Sequence, residues 1–265
     1  MSEERPAAAW DPATYLRFAA ERARPFVELL SRVGAAAPAR VVDLGCGEGT
    51  ATASLRSRWP GALVRGIDSS PEMLTAAAPR AVPGQVEFAR GDVRTWAPDR
   101  PVDVVVSNAV LHWVPDHAAV LTTWVGLLAA EGWLAVQVPG NFRAPTHALL
   151  AGLCRSPRWA DRLADAAPRP DAVLEPEGYL EVLAAAGLHT DVWATTYLHV
   201  LRGADPVLGW VSGTVLRPVL AGLEDDAAAA FTAEYAAALR NAYPARPDGT
   251  TVLPFRRIFA VGQRR

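Results

Sequence analysis

Short apolar runs alternate with segments of helical character along the first half of the chain. A short apolar run bounded by glycine or charged residues is typical of a buried strand. Such runs predict strands at 41–43, 63–67, 86–89, 102–106 and 133–138. Helical segments at 51–59 and 120–128, and a helix that opens at Glu72, separate them. Strand, loop and helix therefore alternate, which indicates a parallel sheet.

The rhythm changes after Val138. A loop at 139–142 follows the carboxyl end of a strand, where we expect substrate contacts. Beyond it, the pattern predicts loop or short helix at 156–176, a helix at 177–186 that stops at Gly187, a strand at 192–200, helical segments at 205–221 and 225–241, and a last strand at 255–261.

The segment before the first strand is predicted to be helical. Asp11 and Pro12 suit the N-cap and the first position of a helix, and Tyr15 and Arg22 lie on one of its faces. Pro25 should break or kink this helix. The segment either covers the sheet or lies over a ligand cleft, so Tyr15, Arg22 and Arg24 are candidates for ligand contact as well as for packing.

A glycine-rich loop links the first strand to the next helix and carries the most specific chemistry. The sequence from Asp43 reads Asp-Leu-Gly-Cys-Gly-Glu-Gly-Thr. Its glycines allow a sharp turn and the close approach of a ligand, and the helix N-terminus beyond them offers free N–H groups. The dinucleotide fingerprint requires a third glycine where Thr50 stands. The spacing resembles motif I of class I S-adenosylmethionine (SAM) methyltransferases instead, in which an acidic residue faces the cation and backbone N–H groups meet the carboxylate.

Two further strands are each followed by an acidic residue. Asp68 comes about twenty residues after the glycine loop and suits the hydroxyls of a ribose. Asp92 suits the exocyclic amine of adenine or belongs to a plain Gly-Asp turn. Ser69 or Ser70 is either a ligand contact or the cap of the next helix, and Met73 packs against adenine or against the sheet.

The fourth strand runs into Ser-Asn-Ala-Val-Leu-His-Trp at 107–113. In many methyltransferases this position holds the side chains next to the transferring methyl group. Asn108 would contact the methionine end of SAM, and His112 and Trp113 would line the substrate side. A hydrogen-bonded structural role for His112 is the alternative.

Composition narrows the function classes. The chain has 265 residues and a net charge of −2, so it lacks the basic surface expected of a nucleic-acid-binding protein. All 26 basic residues are arginine, which excludes a Walker P-loop, a pyridoxal-phosphate Schiff base and a lysine base. The polar start is unlike a signal peptide, no apolar run reaches transmembrane length, and the two cysteines form no disulfide or zinc pattern. We therefore expect a cytoplasmic protein without a metal.

A family resemblance extends along nearly the whole chain. It rests on Trp-Asp-Pro-x-x-Tyr-x-x-Phe at 10–18, Glu-Arg-x-Arg-Pro at 21–25, Asp-Leu-Gly-Cys-Gly at 43–47, Ile-Asp-Ser-Ser-Pro at 67–71, Leu-His-Trp-Val-Pro-Asp-His at 111–117, Pro-Gly-Asn-Phe at 139–142, Pro-Thr-His at 145–147, Val-Trp-x-Thr-Thr-Tyr-x-His at 192–199 and Pro-Phe-Arg-Arg-x-Phe at 254–259. These stretches resemble the trans-aconitate 2-methyltransferase family. Glu48 stands where many relatives have proline and leaves all three loop glycines in place.

The resemblance implies an α/β, Rossmann-like class I methyltransferase fold. It has a seven-stranded, mostly parallel sheet with helices on both faces, and a helical C-terminal insertion that forms a cap. We expect a single domain over 1–265, with an N-terminal helical segment at 1–38, a SAM-binding core at 40–138, substrate-side elements at about 139–253 and a last strand at 254–265. The predicted SAM-binding residues are Asp43, Gly45, Cys46, Gly47, Gly49, Asp68, Ser69, Met73, Asp92, Val93, Asn108 and Trp113.

The reaction implied is methyl esterification of one carboxylate of trans-aconitate. A carboxylate is already deprotonated at neutral pH, so no general base is expected, and catalysis rests on in-line positioning. Arginine forks suit a tricarboxylate. The candidate substrate-binding residues are Tyr15, Arg22, Arg24, Asn141, Tyr197, His199, Arg217, Arg256 and Arg257, and His112, Tyr197 and Arg257 are expected to position the substrate.

Other functions are also compatible with the sequence. A SAM-dependent enzyme for another small acid or for a natural-product hydroxyl is the nearest, and a hydroxyl acceptor would favour His112 as a base. An NAD-dependent oxidoreductase and a SAM-binding protein without catalysis are further alternatives. We expect a monomer whose partner is a small tricarboxylate and which binds neither nucleic acid nor membrane.

Overall fold

The computed structural model describes residues 19–265, with side chains from residue 23 onward. The helices are α1 (Ala19–Ser31), α2 (Thr50–Arg58), α3 (Pro71–Ala77), α4 (His117–Gly126), α5 (Pro145–Cys154), α6 (Ala160–Leu163), α7 (Pro176–Ala185), α8 (Pro206–Ser212), α9 (Leu216–Leu220) and α10 (Asp225–Ala242). The strands are β1 (Arg40–Leu44), β2 (Leu63–Asp68), β3 (Val86–Arg90), β4 (Val102–Asn108), β5 (Leu128–Pro139), β6 (Leu188–Leu201) and β7 (Thr251–Arg264).

Within the described residues these strands form a seven-stranded sheet in the order β3-β2-β1-β4-β5-β7-β6. The pairs from β3 across to β5 are parallel, and β7 is antiparallel to β5. The order reverses at β1, which lies between β2 and β4. The carboxyl ends of β1, β2 and β4 therefore meet at a topological switch point, where sheets of this type bind ligands. The predicted seven-stranded, mostly parallel sheet with helices on both faces is confirmed.

The chain divides into two compact units. The larger comprises Arg22–Gly140, Val173–Thr195 and Arg256–Arg265, and the predicted SAM-binding core at 40–138 lies within it. Its buried cluster joins sheet residues such as Leu44 and Val105 to Trp124 of α4 and Tyr179 of α7.

The smaller unit contains Asn141–Ala172 and Thr196–Phe255 and includes α5, α6 and α8–α10. Its core is built around Trp159, Trp210, Phe231 and Tyr235, which are all buried. The Trp159 and Phe231 rings pack edge to face, with centroids 5.2 Å apart. The helical character predicted for this part of the chain is confirmed, and its role as a cap stays a prediction.

The boundary between α4 and β5 differs from the prediction. The helix expected at 120–128 begins three residues earlier, at His117, and β5 begins at Leu128 instead of Trp133. Leu128 is the register partner of Val102, and Trp133 is the partner of Val104, so the intervening residues bulge out of the pairing. Glu131, at the predicted turn, has a φ of +60°. The turn is thus a bulge inside a longer strand.

Other helices and strands also begin or end at residues different from those predicted, because tertiary packing is not visible in local sequence patterns. Pro25 lies inside α1 and does not end it, so of the predicted break or kink the break is excluded and the kink stays a prediction. The predicted helix at 205–221 is two helices, α8 and α9, and the flanking strands β6 and β7 are each longer than predicted. Helix α5 was not predicted, and the proposed cap at Asp11 lies outside the described residues.

Helix α1 is attached to β6 by polar contacts within the larger unit. Glu28 accepts hydrogen bonds from Trp193 Nε1 at 3.1 Å and from Thr195 Oγ1 at 2.6 Å. Arg32 pairs with Asp191 at 3.0 Å, and the Trp193 ring stacks on Phe259 of β7 at 4.8 Å. These contacts fix α1 against the β7–β6 side of the sheet. No helix in the described chain is long and apolar enough to span a membrane.

Candidate functional site

The glycine loop between β1 and α2 is held to the end of β2 by backbone hydrogen bonds. The N–H groups of Gly45 and Cys46 both donate to the carbonyl oxygen of Ile67, at 2.8 and 3.0 Å. The N–H of Gly47 donates to Asp68 Oδ2 at 2.8 Å. The φ angles of Gly45, Gly47 and Gly49 are +82°, +55° and +81°, which lie in the left-handed region that favours glycine.

The three glycines have different surroundings. A Cβ on Gly45 would lie 2.1 Å from Val110 Cγ2, and a Cβ on Gly49 would lie 2.6 Å from Phe88. A Cβ on Gly47 would meet no heavy atom of the described residues within 4 Å. Gly45 and Gly49 are therefore required for packing within the protein, whereas Gly47 faces open space and suits the approach of a ligand.

Asp43 and Cys46 are buried beside this loop. Asp43 is 2% exposed and accepts a hydrogen bond from Thr52 Oγ1 of α2 at 2.6 Å. Burial raises the pKa of Asp43 to about 6, and the charge of Asp68 adds to the shift. Burial also raises the pKa of the Cys46 thiol, so it is protonated at neutral pH and is not a nucleophile. The carboxylate of Asp43 thus joins β1 to the first turn of α2.

The carboxylate of Asp68 is shared between two backbone amides. Besides Gly47, it accepts a hydrogen bond from the N–H of Ser70 at 2.9 Å. The Ser70 hydroxyl in turn caps α3 by accepting from the N–H of Met73 at 3.2 Å. The helix-cap alternative is therefore confirmed for Ser70, while Ser69 is exposed and Met73 is half-buried.

Asp92 lies just after β3 and is engaged by a neighbour. Arg94 Nε donates to both of its carboxylate oxygens at 3.0 Å, and the backbone N–H of Arg94 donates to Oδ1 at 2.9 Å. These bonds hold the pKa of Asp92 below its usual value. The carbonyl of Val93 accepts from Trp124 Nε1 at 2.9 Å, which fixes the turn to α4. A ligand amine at Asp92 would thus share the carboxylate with Arg94.

Asn108 ends β4, at the switch point of the sheet. Its side-chain Oδ1 is buried and accepts no hydrogen bond from the residues that the structure describes. Ala109 follows with a φ of +59°, a strained value for alanine, and its N–H donates to the carbonyl of Gln137 at 2.8 Å. His112 and Trp113 lie in the short 3₁₀ helix Leu111–Trp113 with ring centroids 4.7 Å apart, and Trp113 is 55% exposed.

Gln137 on β5 is a buried polar residue that was not among the predicted site residues. Its side chain is 2% exposed, and its Nε2 makes no hydrogen bond within the described part of the chain. Gln137 is the register partner of Asn108 on one side and of Phe259 on the other. A polar residue inside the apolar run Ala-Val-Gln-Val-Pro was the available signal.

The predicted substrate residues fall in both units, and four of them belong to the larger one. Arg24 is exposed, and Arg256 pairs with Glu175 at 2.7 Å. Arg257 is 7% exposed and is the register partner of Pro139 on β5. The backbone of Arg22 lies in α1, its side chain is not described, and Tyr15 is outside the described residues.

The smaller unit contains four more of them. The His199 ring stacks on Trp210 at 4.4 Å, with Tyr197 6.3 Å away, and all three side chains are buried. Arg217 lies in α9 and is half-buried. Asn141 is 5% exposed, and its Nδ2 lies 3.4 Å from Nδ1 of His147, a residue that sequence analysis did not select.

His147 is held neutral by its surroundings. Burial lowers its pKa from 6.5 to about 4. Its Nδ1 is also 3.1 Å from Thr146 Oγ1, and the Thr146 carbonyl accepts from Tyr235 at 2.7 Å. An Nδ1 that accepts hydrogen bonds from Asn141 and Thr146 requires the neutral ring. The network therefore orients Asn141 as long as His147 stays unprotonated.

Comparisons with known proteins point to methyl transfer. A methyltransferase-domain family model matches residues 41–132. The trans-aconitate 2-methyltransferase of Streptomyces avermitilis is 54% identical over 96% of this chain and 97% of its own length. That of Mycobacterium tuberculosis is 49% identical over 96% of both chains. Both relatives match essentially end to end.

Solved structures support the fold. One is a SAM-dependent methyltransferase from Thiobacillus denitrificans in complex with S-adenosyl-L-homocysteine. It superposes with a TM-score of 0.56 at 22% identity, and the match covers 97% of this chain and 100% of the other chain. A protein from Bacillus subtilis gives a TM-score of 0.58 at 16% identity, with 91% and 98% coverage. At these identities the likeness is one of architecture. Among residues 19–265, no group of three or more His, Cys, Asp or Glu side chains could hold a metal ion.

The glycine loop gives a matched pair of stability predictions. Gly45→Ala should lower the free energy of unfolding by about 3 kcal/mol or more, because it adds a clash with Val110 to the strain of a left-handed alanine. Gly47→Ala should lower it by only about 1–2 kcal/mol, since only the strain applies. Urea denaturation measures both. Equal losses would show that the close approach of Val110 does not constrain the loop.

The neutral state of His147 predicts a pH dependence of stability. The unfolded chain takes up a proton as pH falls through 6.5, whereas the folded chain resists until about pH 4. The free energy of unfolding should therefore fall with decreasing pH in this window, by up to about 1.4 kcal/mol per pH unit from this group. The raised pKa of Asp43 has the opposite effect, because it makes the folded chain more stable as pH falls. The contribution of His147 is therefore measured by comparing the pH profiles of variants with that of the wild type. His147→Gln should remove the His147 contribution and His189→Gln, at an exposed site, should not; equal pH profiles for wild type and His147→Gln would contradict the prediction.

Proposed function

Because the chain belongs to the trans-aconitate 2-methyltransferase family, we propose that it transfers the methyl group of SAM to one carboxylate of trans-aconitate. The products are the monomethyl ester and S-adenosylhomocysteine. The observation that carries the proposal is 54% identity to a relative of that name over 96% of the chain. We also propose that the enzyme acts as a monomer in the cytoplasm, on a small tricarboxylate partner.

The residues at the glycine loop fit SAM. The free space at Gly47 allows a ligand to approach the backbone, and α2 begins at Thr50 with its N-terminal N–H groups close by. The Oδ1 of Asn108, an acceptor with no donor in the described chain, suits the ammonium group of the methionine part. We propose that these residues bind SAM together with Asp43, Asp68, Met73, Asp92, Val93 and Trp113.

Bound SAM supplies a methyl group on a positively charged sulfur; as the carboxylate oxygen bonds to the methyl carbon, the carbon–sulfur bond breaks and its electrons stay on sulfur. The carboxylate needs no base, because its reference pKa of about 4 leaves it ionised at neutral pH. The protein's part is to hold the substrate in line with the methyl group. The buried, protonated Cys46 and the neutral His147 are not needed as nucleophile or base.

Arg257 is our principal candidate for substrate binding. It is buried at the carboxyl end of β5, beside Pro139, and its guanidinium brings a permanent positive charge to that edge of the sheet. An arginine fork binds a carboxylate through two parallel hydrogen bonds. Arg256, the adjacent arginine on β7, is paired with Glu175 in the structure, so the two differ in their surroundings.

The direct test is turnover by the purified protein. We expect S-adenosylhomocysteine release and a trans-aconitate monomethyl ester, identified by mass spectrometry, when SAM and trans-aconitate are supplied. cis-Aconitate, citrate and isocitrate serve as controls and should react more slowly. Binding of SAM without turnover on any of these acids would overturn the substrate proposal and leave the SAM site; the acceptor would then be sought among other small acids and hydroxyl compounds.

Removal of the Arg257 guanidinium should weaken substrate binding selectively. Arg257→Ala is expected to lower kcat/KM for trans-aconitate by about 100-fold or more, because a charge-assisted carboxylate contact is lost. The dissociation constant of SAM, measured by calorimetry, should change little. Arg264→Ala, at the far end of the same strand, is the matched control. Full activity of Arg257→Ala towards the acid would contradict the assignment.

A further inference from the structure

Three side chains lie in a row across the carboxyl edge of the larger unit's sheet. Asn108 on β4 is the register partner of Gln137 on β5, and Gln137 is the partner of Phe259 on β7. Register partners project from the same face of a sheet, and so do residues two apart on one strand. Arg257, two residues before Phe259, therefore lies on this face as well. From the glycine loop outwards, the row reads Asn108, Gln137, Arg257.

The amide of Gln137 is not explained by folding. Its side chain is 2% exposed, yet its Nε2 has no acceptor among residues 19–265. A buried donor left without an acceptor costs about 1–3 kcal/mol, and such groups are rare in native structures. Its neighbours on the same face, Ala135 on β5 and Phe259 on β7, are buried and apolar. An apolar residue would be expected at this position if packing alone decided its identity.

The chemical character of the side chains changes along the row, from an acceptor through a neutral donor to a cation. Asn108, nearest the glycine loop, contributes an acceptor that suits the ammonium group of SAM. Gln137 contributes a donor. Arg257 is its diagonal neighbour across the β5–β7 pair, and diagonal neighbours lie roughly 7–8 Å apart, which long side chains can span. A donor beside a guanidinium suits an anion. A carboxylate has two oxygens and several lone pairs, so it accepts hydrogen bonds from both groups at once.

We propose that Gln137 is a substrate-binding residue whose Nε2 donates a hydrogen bond to a carboxylate oxygen of the acceptor acid, next to Arg257. The inference rests on the proposed function and adds to it a neutral donor placed between the SAM side and the cationic side of the site. A neutral amide at this point binds the anion without adding a second charge close to the positively charged sulfur of SAM. The acid is thus fixed by a charge at one side and by a directional hydrogen bond at the other.

The test uses Gln137→Met, which keeps the length of the side chain and removes the donor. Trans-aconitate binding is measured by calorimetry on the enzyme saturated with S-adenosylhomocysteine, alongside steady-state kinetics. We expect the substrate dissociation constant and KM to rise about tenfold or more, since a hydrogen bond to a charged group is lost. SAM affinity should stay unchanged. Thermal stability should be unchanged or higher, because a buried donor without an acceptor has been removed.

Gln263→Met is the matched control. Gln263 lies on β7, and its Nε2 donates to the carbonyl of Glu131 at 3.2 Å, far along the strand from Arg257. It should lose a little stability and keep wild-type KM. The two substitutions should therefore have different effects: Gln137→Met lowers substrate affinity, and Gln263→Met lowers stability.

Gln137→Glu is a second variant in case Gln137→Met does not fold. It preserves the shape and replaces the donor by an anion, so it should weaken trans-aconitate binding more than Gln137→Met does. Wild-type substrate affinity in either variant would overturn the inference. So would a parallel loss of SAM affinity, substrate affinity and melting temperature, which indicates a structural role. A wild-type enzyme that neither binds nor methylates trans-aconitate would overturn the proposed function itself, whereas an active wild type with unaffected variants overturns only the role of Gln137.

Discussion

The left-handed glycine loop between β1 and α2 is the constraint on which the site depends. Gly45 has no room for a side chain because Val110, just after β4, packs against it. The same loop is hydrogen-bonded to the end of β2 through Ile67 and Asp68. The ends of three strands are therefore locked together by one turn, and the direction of α2 follows from it. Asp43 also holds α2 in place, because its buried carboxylate accepts a hydrogen bond from Thr52 in the first turn of α2.

The three acidic residues predicted to face SAM also have structural roles within the protein. Asp43, Asp68 and Asp92 were each predicted to face SAM, and each is already hydrogen-bonded within the protein: to Thr52, to the Gly47 and Ser70 amides, and to Arg94. A carboxylate that holds a loop amide still presents its negative potential to a bound cation, since charge acts over several ångströms. Asp43 and Asp68 thus preorganise the loop, and their negative charge favours a positively charged ligand beside it.

Sequence patterns succeeded where a feature is local. The first four strands, the spacing of the glycine loop and the helix stop at Gly187, whose φ is +90°, are properties of short segments. The start of β5 was missed because Leu128 joins the sheet by pairing with Val102, a distant residue, across a bulge. The hydrogen bonds of Glu28 to β6 join residues more than 160 positions apart. Gln137 was not predicted because its neighbours have the pattern of a buried strand, and only the three-dimensional structure shows that its donor lacks an acceptor in the described chain.

Two side chains at this edge of the sheet are unfavourable for folding alone. Asn108 holds a buried acceptor and Gln137 holds a buried donor, and within residues 19–265 neither atom makes a hydrogen bond. Either residue would be replaced at little or no loss of stability if the fold were the only requirement. In the complex that we propose, the ammonium group of SAM would pair with Asn108 and a carboxylate of the acid would pair with Gln137. The binding free energies of both ligands would then add to the stability of the folded chain, so the same atoms that make the free protein less stable would make the loaded protein more stable.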